Sequence, residues 1–257
     1  MDTLREAVAI ALSQMRLPRH VPPSELAECA AGGVAFVETV REAMVHVRFA
    51  GDVRSTTALP LLLAAMDQAW AFCHLLATAP HSGQFGAITL YRSMVETCLR
   101  GAFFSLPATL EEIDYFRRAD EMPKRLQSWP GSAPKKTKLS AGALAEIIDK
   151  AYAFEPRGRL VSAVRNDWEA WHGIVHGGVP TMALFGGGNG ARRDLGWVPD
   201  NAGMKELVPQ VCVFAWLAIR ASLELSVADQ SYLADRATKK VWSTFQSFLL
   251  RWDPPRD

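Results

Sequence analysis

Arg165, Glu169, His172 and His176 are spaced so that, on a helix of ~100° per residue, they share an arc of roughly 60°. Val161, Val164, Trp168, Trp171 and Val175 fill the adjoining arc, so the row runs along the edge of an apolar face. Polar groups at such an edge must find partners or a ligand, because a buried charge or donor left alone is costly. A fixed guanidinium with imidazoles one to three turns away can hold a phosphate and move its proton. The plainer reading is that the histidines are hydrogen-bonded residues at the margin of a core.

A second row, Arg92, Glu96 and Arg100, is spaced by four and borders Tyr91, Val95, Leu99 and Phe103. On an open surface such a ladder adds about 0.2–0.5 kcal/mol per pair. Beside those apolar neighbours it reads either as a buried structural network or as the lining of a cleft.

Metal chemistry fits neither row. Glu169-x-x-His172 has the i, i+3 spacing of di-iron bundles, but the motif occurs once where such sites need it twice with two further glutamates. His172 and His176 have the i, i+4 spacing of zinc helices, yet Gly173 stands where the glutamate base belongs. No metal and no cofactor is expected. The glycines at 186, 187, 188 and 190 lack the Gly-Lys-Ser/Thr ending of a phosphate loop and read as a turn or flap.

Helical periodicity with clear stop signals runs along nearly the whole chain. The expected segments are 3–15, 22–49, 55–78, 83–105, 109–118, 140–151, 156–176, 202–228 and 230–251. Gly32-Gly33 in the second permits close helix packing or a kink. Segment 83–105 is apolar almost all round, as a helix at the centre of a bundle would be. Ser55 to Thr57 are expected to cap the third segment, and Thr109-Leu-Glu-Glu112 is a capping box. Residues 129–138 have the Pro, Gly and Lys content of an exposed loop, and 177–201 form a Gly-rich irregular segment. The expected architecture is all-α: one helical-bundle domain over residues 1–257, of about eight to ten helices, with a helix in 1–17 at its periphery. Helices 83–105 and 156–176 would pair at its centre and bring the two polar rows face to face.

Composition narrows the function classes. Twenty-eight Lys and Arg against 27 Asp and Glu give a net charge of +1, so no global field draws the chain to a polyanion. Cys29, Cys73, Cys98 and Cys212 lie far apart inside apolar stretches without CxxC spacing, which reads as buried free thiols in a reducing cytoplasm. The start, MDTLREAVAI, has no apolar run of signal-peptide type. The apolar stretches 56–79 and 211–228 are interrupted by Asp67, Gln68 and His74 and by Arg220 and Glu224, so no membrane span is expected.

The run Leu90-Tyr-Arg92-Ser-Met-Val-Glu96-Thr-Cys-Leu-Arg100-Gly101, followed by Asn166-Asp-Trp and His172-Gly through His176-Gly-Gly178, resembles the bacterial DUF6988 family and its relative DUF5677. The similarity spans roughly residues 60–230 and implies no activity. A more distant resemblance is to the HEPN superfamily of helical ribonucleases and toxin or phage-defence proteins, whose signature is Arg-x(4-6)-His. Arg165-Asn166 and His172, with six residues between arginine and histidine, match its long end.

This resemblance implies a metal-independent endoribonuclease in which Arg165 binds the scissile phosphate, His172 is general acid or base, and Asn166 orients either. Arg92, Glu96, Arg100, Glu169 and His176 would support the site. It also implies RNA as the substrate, a homodimer with composite sites, and an antitoxin or other defence-system partner. Local basic patches at Arg192-Arg193, Lys135-Lys136-Lys138 and Lys239-Lys240 would supply phosphate contacts, or are simply solvated surface. The alternatives are a non-catalytic homodimeric scaffold or partner-binding module, and a small-ligand binder using an arginine- and histidine-lined cleft.

Overall fold

The computed structural model describes residues 21–45, 48–127, 135–154, 157–165, 200–227 and 231–252. Within them the fold is all-α, with eight helices and one two-stranded hairpin. The order is α1 (Pro23–Val45), α2 (Val53–Thr78), α3 (Gln84–Ser105), α4 (Leu110–Ala119), β1 (Lys124–Gln127), β2 (Lys135–Lys138), α5 (Ala141–Ala151), α6 (Arg159–Arg165), α7 (Asn201–Leu223) and α8 (Ser231–Trp252). The expected N-terminal helix and most of segment 177–201 lie outside the described residues.

Local signals set most helix ends. Pro23 opens α1, where its missing N–H costs nothing. Thr109 and Glu112 form the reciprocal capping box of α4, and the Ser140 side chain caps α5. At α2 the cap is Asp52, which accepts from the Ser55 amide at 2.7 Å. Ser55 and Thr57, expected to cap that helix, are instead buried within its first turns.

α3 is the spine. Its buried positions include Ala87, Ile88, Tyr91, Met94, Val95, Cys98, Leu99 and the run Gly101–Ser105, so it is covered on nearly every side. α2, α7 and α5 supply the cover. The most extensive interface is α2 with α3, which follow one another through the short connection 79–83 and therefore lie side by side. Their closest approach is at Gly101, where a Cβ would stand 2.7 Å from Leu62 Cγ. At Gly33 a Cβ would stand 2.8 Å from Cys73 Sγ and 3.0 Å from a Val208 methyl, so this glycine lets α1, α2 and α7 converge. Gly33 thus serves close packing.

Of the expected central pairing of 83–105 with 156–176, residues 166–176 lie outside the described residues. α6, the described part of that helix, packs on α5, and among the described residues the main partner of α3 is α2. The physical reason is reach: the short 79–83 turn and the side-chain-free surface at Gly101 favour the sequential neighbour.

One contiguous core runs from Val21 to Phe248 and joins residues of every helix except α4's exposed face. Phe36 of α1 stacks near Phe245 and Phe248 of α8, with ring centroids 5.3 and 6.4 Å apart. The Arg54 guanidinium donates to the carbonyls of Phe104 and Ala108 at 2.9 and 2.8 Å and so closes the C-terminal end of α3. α2 and α7 are long and apolar enough to cross a bilayer by length and composition, and both contribute to this core.

Residues 135–138, read as part of an exposed loop, are a strand. β2 pairs antiparallel with β1, Lys124 opposite Lys138 and Leu126 opposite Lys136. Lysine-rich segments are poor strand formers and show no alternation of apolar residues, so periodicity gave no sign of it.

Candidate functional site

The row on α3 is formed as spaced. Arg92 Nε and Nη2 donate to Glu96 Oε1 at 3.1 and 3.0 Å, and Arg100 Nη2 lies 3.7 Å from Glu96 Oε2. Exposure rises along the row: the Arg92 side chain is 11% exposed, Glu96 30% and Arg100 42%. Arg92 and Glu96 therefore make a part-buried, charge-assisted pair, while Arg100 stands at the rim. Glu96 is shared by both arginines, and the row keeps one net positive charge at its open end.

Neighbouring polar groups of α3 are tied to the flanking helices. The Tyr91 hydroxyl donates to Gln210 Oε1 of α7 at 2.8 Å, and Gln68 Nε2 of α2 donates to Ser93 Oγ at 3.0 Å. At the N-terminal end, Gln84 donates to Asn201 Oδ1 at 2.8 Å and accepts from the Asp200 amide at 2.9 Å, which locks the start of α7 against the start of α3.

Arg165 is the last residue of α6, whose Leu160 and Val164 are buried. Asn166, Glu169, His172 and His176 lie outside the described residues. Among the described residues, then, the structure assembles the Arg92/Glu96/Arg100 row and places the backbone of Arg165, and it brings no second row against the first.

One residue that positions α6 was not singled out in the sequence. Asp149 of α5 is buried, and its Oδ2 accepts from the Gly158 amide at 2.8 Å. Gly158 has φ 79°, a left-handed conformation that only glycine adopts without strain, and the bond holds this turn at the entrance to α6. The signal for it was a carboxylate one residue from Ile148, on the helical face of Leu144 and Ala145.

Two further polar clusters surround the lower end of α3. The Ser105 and Tyr152 hydroxyls lie 2.6 Å apart, and burial pushes the Tyr152 phenol well above its ordinary range despite that bond. Arg220 stands 5.9 Å from the Tyr152 ring and 2.5 Å from Glu224. Arg125 of β1 forms a bidentate pair with Glu112, both bonds at 2.6 Å, and lies 5.0 Å from the Phe103 ring centroid.

Other chemistry-bearing groups are inert in place. Cys29, Cys73, Cys98 and Cys212 are buried free thiols, as the sequence suggests. Among the described residues no group of three or more His, Cys, Asp or Glu is arranged to hold a metal ion. A groove of about 280 Å³ between α1 and α2 is lined by Arg41, Met44, Val45, Phe49, Leu59, Leu63 and Met66, and the Arg92, Glu96 and Arg100 row takes no part in it.

No family model, curated protein or solved structure matches the chain.

Proposed function

We propose that the chain is a HEPN-like, metal-independent endoribonuclease of toxin or phage-defence type, with Arg165, Asn166 and His172 at its reaction centre. What carries the reading is the Arg165-Asn166 pair followed by His172 in a chain whose described residues are mostly helical. The ribose 2′-oxygen attacks the adjacent phosphorus and forms the P–O2′ bond while the P–O5′ bond breaks. The leaving electron pair stays on O5′, and the products are a 2′,3′-cyclic phosphate and a 5′-hydroxyl. His172 takes the 2′-hydroxyl proton or returns one to O5′, a task suited to an imidazole near neutral pH. Arg165 offsets the charge that accumulates on the phosphoryl oxygens, and Asn166 orients the phosphate or the imidazole.

The test is cleavage of a mixed RNA pool in the presence of EDTA by wild type, Arg165→Ala and His172→Ala, compared at matched melting temperatures. Cyclic-phosphate ends made by wild type and by neither variant support the reading. Absence of cleavage by folded protein across several RNAs rejects it.

The alternative is a non-catalytic helical scaffold, and one observation favours it: the Arg92/Glu96/Arg100 row is bonded within itself. Under that reading, light scattering shows a stable homodimer and the His172→Ala variant keeps every property of wild type.

A further inference from the structure

The net charge of +1 conceals a strong local excess. Residues 117–138 hold seven Lys and Arg against two Asp and Glu, so the rest of the chain is net negative. The β1–β2 hairpin sorts part of this excess onto two faces. Directly opposed residues of an antiparallel pair share a face, and successive residues alternate. Lys124 with Lys138 and Leu126 with Lys136 therefore occupy one face, and Arg125 with Thr137 the other.

The inner face is committed to the fold through the bidentate bonds of Arg125 to Glu112 and its place against Phe103. On the outer face Lys124, Leu126, Lys136 and Lys138 are all exposed, Leu126 by 73%. Glu121 lies 2.8 Å from Lys138 Nζ and still leaves this group of side chains net positive. Like charges opposed across a strand pair destabilise it, and an exposed leucine among them adds nothing to a free hairpin. Both are accounted for by a ligand with spaced negative charges and an apolar surface.

A nucleic-acid strand has that chemistry. Lys136 and Lys138, two residues apart on one strand, are ~7 Å apart along it, comparable to the separation of successive phosphates. A base or ribose then covers Leu126. A membrane surface would instead call for cations spread along an amphipathic helix.

We propose that the outer face of the β1–β2 hairpin is the surface on which this chain holds the phosphodiester backbone of RNA, with Lys124, Lys136 and Lys138 on phosphates and Leu126 against a base or sugar. The proposal rests on the ribonuclease reading and supplies it with a substrate track. Arg165 and His172 do the chemistry, and the hairpin does the holding.

The experiment uses the His172→Ala protein, so that the RNA stays intact, and follows the anisotropy of a fluorescein-labelled single-stranded RNA of mixed sequence as KCl is raised. In that background a triple variant, Lys124→Gln with Lys136→Gln and Lys138→Gln, is compared with a charge-matched control at exposed positions of α1 and α8, Arg41→Gln with Arg236→Gln and Arg251→Gln. The hairpin variant is expected to weaken binding at least ~10-fold and to lower the slope of log K against log salt by about 2, at ~0.7 per phosphate contact, while the control keeps the slope.

Absence of RNA binding by the parent, or equal loss in both triple variants, overturns the proposal. So does loss of binding to phosphatidylserine vesicles by the hairpin variant while its RNA binding persists. Should the triple variant misfold, Lys136→Gln alone reads the same surface through a slope change of about 0.7. Hairpin-dependent binding without cleavage by wild type keeps this surface and rejects the nuclease reading. Cleavage with hairpin-independent binding does the reverse.

Discussion

Replacing Gly101 by alanine tests whether α2 and α3 form the central pair. A Cβ there would stand 2.7 Å from Leu62 Cγ and Cδ2 and 3.2 Å from the Leu62 backbone nitrogen. Both residues are buried, Leu62 completely. Cγ is the branch point of the leucine and the nitrogen belongs to α2 itself, so a change of rotamer does not clear the space and the helices must part. Overpacking of this kind costs about 1–3 kcal/mol. Alanine is the better helix former by about 0.8–1.0 kcal/mol, which leaves a net loss of about 1 kcal/mol.

The sign should reverse when Leu62 is also alanine. Leu62→Ala alone costs about 2–5 kcal/mol. In that background the two 2.7 Å contacts with Cγ and Cδ2 are gone, only the milder 3.2 Å approach to the nitrogen is left, and the propensity gain remains, so Gly101→Ala becomes neutral or stabilising by up to ~1 kcal/mol. Propensity and the approach to the backbone nitrogen cancel in the double-mutant cycle, and the coupling equals the overpacking against the Leu62 side chain, about 1–3 kcal/mol. Equilibrium urea unfolding of the four proteins followed by far-ultraviolet circular dichroism measures it, provided the m-values agree. A coupling below about 0.5 kcal/mol would refute the close approach of α2 and α3 at Gly101.

Two further outcomes follow from the electrostatics and burial. Burial works to raise the Glu112 carboxyl, but the Arg125 guanidinium and the Thr109 amide prevail and hold it below its ordinary 4.5. Its stabilising contribution is therefore complete above that value and is lost as pH falls through the lower native one. Glu112→Gln should lose less stability than wild type on acidification below pH 4.5, and parallel curves of urea midpoint against pH would contradict this. Burial also pushes the Cys29 thiol up to about 12 and raises Cys98 and Cys212 well above their usual range. A thiol reagent at ~pH 8 should leave all four cysteines unmodified in the folded protein and label four after denaturation, and fast labelling of native protein would count against the core described here.

Of the candidate site, the sequence made legible what lies on one helix. Arg92, Glu96 and Arg100 at spacings of four had to share a face, and they do. Whether that face opened onto a cleft or closed on itself depended on what packed around it. The graded exposure from Arg92 to Arg100 and the sharing of Glu96 came only with the neighbouring helices in place. Asp149 was overlooked because its partner, the Gly158 amide, is brought to it by a turn that periodicity does not describe.

By itself the sequence determined the described helices and most of their ends: the capping box at Thr109 and Glu112, a helix beginning at Ser140, the apolar circumference of residues 83–105 and the burial of four cysteines. These are properties of hydrogen bonds that span four residues and of side chains that repeat every 3.6, so neighbouring residues carry the information. Only the tertiary structure decided that α3 has its most extensive contact with α2, that Asp52 rather than Ser55 caps α2, and that lysines 135, 136 and 138 belong to a strand. The hairpin joins Lys124 to Lys138 across the chain and is anchored by Arg125 on Glu112 of another element. Its stability comes from contacts between segments that are strangers in sequence, which no local pattern of residues encodes.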